Sequence, residues 1–209
     1  MIKRTVLFIL LAAAVCLAQT VNCLVAVVNG EIITLLDVLV AAEFGLGHAV
    51  VSEAGTDPKM AALDALIDRK LVLDLAREAR TVSPDELAAA IADLGRALGE
   101  DVFAGKLAKF ALQAKDLEPY LEERILFDRV LALRFSQVIP VSLTEVERHY
   151  RDIYGPEQTR LGLAVEPLER VADMIETRIR DERRARQTAD WVRDLRKRAT
   201  IQLKKDCLK

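Results

Sequence analysis

The stretch VAVVNGEIIT, residues 25–34, reads as two short apolar strands joined by a tight turn at Asn29-Gly30. A two-stranded hairpin is marginal in water, so another strand must complete the sheet. The other credible strand lies at the far end of the chain. In ATIQLK, residues 199–204, Ile201 and Leu203 alternate with Thr200, Gln202 and Lys204, as a half-buried strand requires. The simplest closure pairs residues near Val25 with residues near Ile201, and the chain ends meet.

Upstream of the hairpin, Lys3 and Arg4 precede an apolar run from Val6 to Ala18 that is too short to cross a bilayer comfortably. This order of charge and oil is that of a secretory signal, the alternative being a buried N-terminal helix. Small residues allow a cut after Ala18, and the polar QTVNC also permits one near Cys23, so the mature chain starts between Gln19 and Leu24. Lipid attachment at Cys16 or Cys23 is disfavoured by Val15 and Asn22, which stand where a small residue is wanted. Taking residues 1–23 as the signal removes Lys3 and Arg4, leaving 28 basic residues against 32 acidic ones. Only Cys207 then remains of three cysteines, which excludes an internal disulfide and a cysteine metal site, and leaves a frayed-end thiol or a bridge to another molecule.

Between the strands the pattern is helical. Thr34 caps a helix whose third position is Asp37, with Leu35, Val38, Leu39 and Ala42 on one side. FGLGHAVVSEAGTD is a loop, and Asp57-Pro58 starts the next helix, where Met60, Leu63, Ile67, Leu71 and Leu75 recur at helical spacing. Leu66 and Leu73 widen that stripe, so it must be packed on more than one side. Ser83-Pro84-Asp85-Glu86 is a capping box opening a helix with Leu87, Ile91, Leu94 and Leu98. A shorter segment carries Phe103, Leu107 and Phe110 on one side, and Asp116 caps a long helix to about Gln137. Pro140 turns the chain extended, Ser142 and Glu145 cap a helix that stops at Gly155-Pro156, an aperiodic connection follows, and helix resumes from Leu168 to Arg198.

Few features carry chemistry. His48 and His149 have no His or Cys at ligand spacing and read as surface or boundary residues. GLGHAV lacks the Lys-Ser/Thr ending of a phosphate loop. The arginines of RIRDERRARQTADWVRDLRKR are interleaved with Asp181, Glu182, Asp190 and Asp194, which fits a solvated face with ion pairs better than a nucleic-acid helix. Glu122 and Glu123 are helix neighbours that diverge, so they form no hydrolase dyad. No cofactor, metal or catalytic set is expected.

The order of segments resembles the SurA family of periplasmic chaperones, specifically its N-terminal domain. The signal and VAVVNGEIIT are followed by ALDALIDRKLVLDLARE (62–78), SPDELAAAIADL (83–94), LEPYLEERILFDRVLALRF (117–135) and IPVSLTEVERHY (139–150), and WVRDLRKRATIQL (191–203) resembles the family's returning helix and strand. The likeness spans the mature chain. Members commonly carry parvulin-type prolyl isomerase domains before that returning helix, but only residues 155–167 are available here, and a domain needs roughly 50 residues. The resemblance therefore implies a mostly α (α+β) fold with a small terminal sheet. It divides the chain into a signal (1–23), a helical chaperone domain (24–155), a linker replacing the isomerase (156–167) and a returning helix and strand (168–209).

The implied activity is ATP-independent holding of unfolded outer-membrane proteins in the periplasm, without catalysis, nucleic acid or a membrane span in the mature chain. The alternatives are a prolyl isomerase family member whose activity is degenerate or supplied by a partner, and a structural subunit of an envelope complex. Phe103, Leu107, Phe110, Tyr120 and Phe127 exceed what one face of a short helix needs and are the candidate client-binding residues, with core packing as their alternative role.

Overall fold

The computed structural model describes residues 23–47, 57–75 and 81–208. The expected signal up to residue 22, His48 and most of the expected glycine loop lie outside these residues. Strand β1 (Leu24–Val28) turns into β2 (Glu31–Thr34) through Asn29 at φ 49° and Gly30 at φ 91°. Positive φ at both central residues is what a two-residue hairpin needs, and Asn and Gly tolerate it best. β3 (Ile201–Leu203) lies on the other side of β1, giving an antiparallel sheet in the order β2-β1-β3. Val28 stands opposite Glu31 on one side and Ile201 on the other, and Ala26 opposite Ile33 and Leu203. The expected closure by the C-terminal strand is what forms.

Helix α1 (Leu35–Glu43) begins at the capping box Thr34–Asp37, in which the Asp37 carboxylate accepts from the Thr34 amide at 2.8 Å. Its buried residues are Val38, Val40 and Ala41, so the helix is covered on more sides than the expected stripe. Past α1, Gly47 comes so close to α2 (Pro58–Leu75) that a β-carbon there would sit 2.8 Å from Ala62 Cα. α2 buries Leu63, Leu66, Ile67, Leu71 and Val72 between the sheet and its neighbours, as its wide stripe requires.

A hairpin of α3 (Pro84–Leu98) and α4 (Glu100–Lys109) turns at Gly99, φ 85°, and contains no fully buried residue. Its apolar side is half-buried against the main core. Ser83 caps α3 through its hydroxyl, but the Glu86 carboxylate reaches across to Arg129 instead of closing the box. A 3-10 turn (Ala114–Leu117), capped through Gln113 and Asp116, leads into α5 (Glu118–Arg134).

The second lobe corrects one sequence reading. α6 (Leu143–His149) does not stop at Gly155-Pro156; it continues through a π turn (Tyr150–Tyr154) into α7 (Gly155–Arg160). The Gly155 amide bonds the Tyr150 carbonyl five residues back, and this wider turn accommodates a proline that would break an α-helix. The irregular connection shrinks to Leu161–Pro167. α8 (Leu168–Arg198), 31 residues and about 46 Å long at 1.5 Å per residue, joins both lobes. Its first half buries Val171, Ile175 and Ile179 against Val146 and Tyr154, and its second half buries Val192 against Val72 and Phe127.

Two polar anchors hold α8 to α2. Arg196 donates to Asp68 at 2.5 Å through Nε and to Asp64 at 3.0 Å through Nη1. Asp68 is 1% exposed whereas Arg196 is a third exposed, so the pair joins a buried carboxylate to a guanidinium at the boundary. Beside it the buried Arg69 donates to the Leu46 carbonyl at 2.6 Å, which holds the end of the α1 loop.

The expected lone Cys207 rests on a cut after residue 23, and the chain that keeps Cys23 pairs the two cysteines. Cys23 and Cys207, 184 residues apart, are disulfide-bonded with their α-carbons 6.1 Å apart. The closed sheet is the reason, because it brings the residue before β1 next to the 3-10 turn (Lys205–Leu208) after β3.

Candidate functional site

Of the five candidate residues, four share one region. Phe103 and Leu107 on α4, Phe110 at its C-terminal cap and Tyr120 on α5 are partly buried against the main core. The Phe103 ring meets Phe44 edge-on, with centroids 5.9 Å apart. Lys106 and Lys109 fasten α4 to the end of α1 by bonding Glu43 at 3.0 and 2.7 Å, and those bonds, Lys109 first, hold the Glu43 carboxyl below its usual range. Tyr120 donates to Asp37 at 2.9 Å, and burial, with Asp37 close by, pushes its hydroxyl's pKa up. Phe127 does not join this group. At 7% exposure it packs with Val72 and Val192, where a client reaches it only by parting α2 from α8.

Open apolar surface lies elsewhere. The C-terminal end of α5 and the middle of α8 diverge around a cleft of about 580 Å³, walled by Leu131, Ala132, Phe135 and Ser136 on one side and Asp181, Arg184, Ala185 and Thr188 on the other. The Thr188 hydroxyl is spent on the Arg184 carbonyl at 2.9 Å, and the Arg184 side chain pairs with Asp181 at 3.2 Å, so this wall sets an ion pair beside Ala185. One end is closed by Phe135 and Trp191, edge-to-face at 5.7 Å, with the Arg134 guanidinium 4.3 Å from the Trp191 ring. Stacked arginine keeps its charge while its plane covers the indole.

Beyond the cleft, the second lobe exposes an apolar band. Leu161, Leu163 and Val165 alternate along the connection at 62, 57 and 43% exposure, with Met174 and Ile153 also open. The Tyr150 hydroxyl donates to the Glu166 carbonyl at 2.8 Å and pins the far end of that connection. A single exposed leucine is ordinary, whereas three large apolar residues alternating along one short segment are not.

Sequence reasoning passed over both features. The clue to the cleft was that α5 has little purely polar surface, so it has two apolar sides and only one faces α2. The clue to the band was Leu161-Gly-Leu-Ala-Val165, an apolar run in a segment taken only as a spacer.

His149 corrects another reading, because it is buried, not at the surface. Neither ring nitrogen has a hydrogen-bond partner. Among the described residues, no three of His, Cys, Asp and Glu gather as metal ligands, and no helix is long and apolar enough to cross a membrane. No family model matches the chain, and no curated protein matches it.

Proposed function

We propose that the chain is an exported, ATP-independent chaperone of SurA type that holds unfolded outer-membrane protein precursors without catalysing their isomerisation. The observation that carries this reading is the open cleft between α5 and α8, lined by Leu131, Ala132, Phe135 and Ala185 among polar neighbours, with the exposed Leu161–Val165 segment in the connection that precedes that long helix. An unfolded β-barrel strand alternates apolar and polar side chains, so it can lay one edge on such a surface without a fixed sequence. Each fully buried large side chain contributes only ~1.5–3 kcal/mol, and an extended client also loses chain entropy. Several shallow contacts acting together therefore give reversible holding, and release needs no nucleotide. The signal sequence and the segment order that resembles the SurA N-terminal domain point to the same role. Seven residues between α7 and α8 leave no room for an isomerase domain.

The test is suppression of light scattering when a urea-unfolded porin is diluted into buffer. Ala132 and Ala185 are exposed on facing walls of the cleft. The double change Ala132→Glu/Ala185→Glu should leave the melting temperature unchanged and reduce protection at least fivefold. Full protection by that variant removes the cleft from the reading, and no protection by the unaltered protein removes the reading itself. Acceleration of a proline-limited refolding reaction, traceable to this chain, would restore the isomerase alternative.

A further inference from the structure

Cys23 has three mutually exclusive fates. A cut after it removes it with the leader, lipid attachment occupies its sulfur in a thioether, and pairing with Cys207 occupies the same sulfur in a disulfide. Backbone geometry distinguishes them. The Cys23 carbonyl accepts from the Leu35 amide at 2.7 Å, holding this residue against the start of α1, and the Lys204 amide donates to Val25 at 2.7 Å, carrying β3 past β1 toward Cys207. Cys207 and Leu208 then pack on the main core. The two α-carbons stand 6.1 Å apart because of hydrogen bonds made by other residues, within the range a disulfide spans.

We infer that the mature chain keeps Cys23 and oxidises it with Cys207 after export, so that the leader is cut upstream, after Ala18. Cleavage adds water across the Ala18–Gln19 bond, giving a carboxylate on Ala18 and an amine on Gln19. Oxidation then runs by thiol–disulfide exchange with a disulfide-bearing oxidoreductase of the receiving compartment. One cysteine thiolate attacks that protein's disulfide, the second attacks the mixed disulfide, and the Cys23–Cys207 bond forms. Two protons leave the cysteines and two electrons reduce the oxidant to its dithiol. Cut at this place, the leader takes Cys16 with it and no odd thiol remains. The result is a covalent clasp around the central strand.

The inference rests on the exported reading of the leader, not on client binding. The full chain, leader included, is expressed in a diderm bacterial host, and recovery in the osmotic-shock fraction tests export by itself. Exported protein is then treated with iodoacetamide without reductant, and its N-terminus and intact mass are read. The expected product starts at Gln19, is unalkylated, and gains two carboxamidomethyl groups only after reduction. Reduction should also lower its melting temperature by about 10 °C, as a bridge closing a long loop implies. In Cys207→Ser the same N-terminus is expected, with Cys23 now alkylated without reductant. A chain starting at Leu24, a retained leader, lipid on Cys23, or alkylation of both cysteines before reduction overturns the inference.

Discussion

Asn29 and Thr200, 171 residues apart, bind each other twice: the Asn29 amide donates to the Thr200 carbonyl at 3.0 Å, and the Thr200 amide donates to the Asn29 side-chain oxygen at 3.0 Å. The remaining side-chain nitrogen donates to Asp74 on α2 at 2.9 Å. One turn residue thus joins the hairpin, the last strand and the central helix. Asn29→Ala removes two of these three bonds and places alanine at positive φ, and should cost about 2–3 kcal/mol in urea unfolding. Asn29→Gly loses the same bonds without backbone strain, so a smaller loss there separates the two effects.

The Arg196–Asp68 pair joins a buried carboxylate to a guanidinium at the protein's boundary. Arg196→Met removes charge-assisted hydrogen bonds to Asp68 and Asp64 and should destabilise the protein by roughly 1–3 kcal/mol, with part of that loss recovered by adding Asp68→Leu. Equal melting temperatures for the single and double variants would show that the pair is not coupled.

The junction between α6 and α8 should loosen in acid. The Glu145 carboxyl is held at about 2, against a usual 4.5, by the Ser142 amide first, then Arg183 and the Ser142 hydroxyl. A lowered folded pKa means a contribution that is present above the unfolded value and lost as pH falls toward the folded one. The loss therefore spans pH 4.5 down to 2. Hydrogen exchange of residues 142–150 should accelerate in that window, and Glu145→Gln should flatten the dependence.

Gly47 sits where α1's loop presses on Ala62. Gly47→Ala forces backbone apart from backbone and should cost about 1–3 kcal/mol, measured as a shift in urea midpoint. A neutral result would mean that the loop moves aside without loss.

Phe103 tests how far the α3–α4 hairpin belongs to the core. Its ring packs on Phe44, so Phe103→Ser should lower the melting temperature as well as any client protection, unlike changes at Ala132 and Ala185. A Phe103→Ser protein that melts normally yet protects poorly would return this face to the client surface.

What could be read from residue order was chemistry that acts locally. Thr34–Asp37 and Ser142–Glu145 are three residues apart, and their caps form as expected. The Asn29-Gly30 turn and the alternation at Ile201 and Leu203 were equally plain, and with only one candidate partner the sheet followed. The helix through Pro156 was not legible, since a π turn has no distinct hydrophobic period. Nor was the bond from Arg196 to Asp68, because 128 residues separate partners that look like ordinary surface charges. The cleft escaped because it is a gap left by two helices, and neither sequence alone encodes the gap. The Cys23–Cys207 bond was not legible because taking residues 1–23 as the leader removes Cys23 from consideration.

The central position of β1 imposes an order of events on a chain that is synthesised N-terminus first. β1 and β2 emerge early and can pair at once, but the other edge of β1 waits for residues 201–203, which arrive last. Until then Val27 presents an unpaired backbone edge, the kind of template on which strands from other chains assemble. Closing so long a loop is also slow relative to forming the helices between. Synthesis itself thus leaves the sheet incomplete until residues 201–203 have emerged, with one edge of its central strand open.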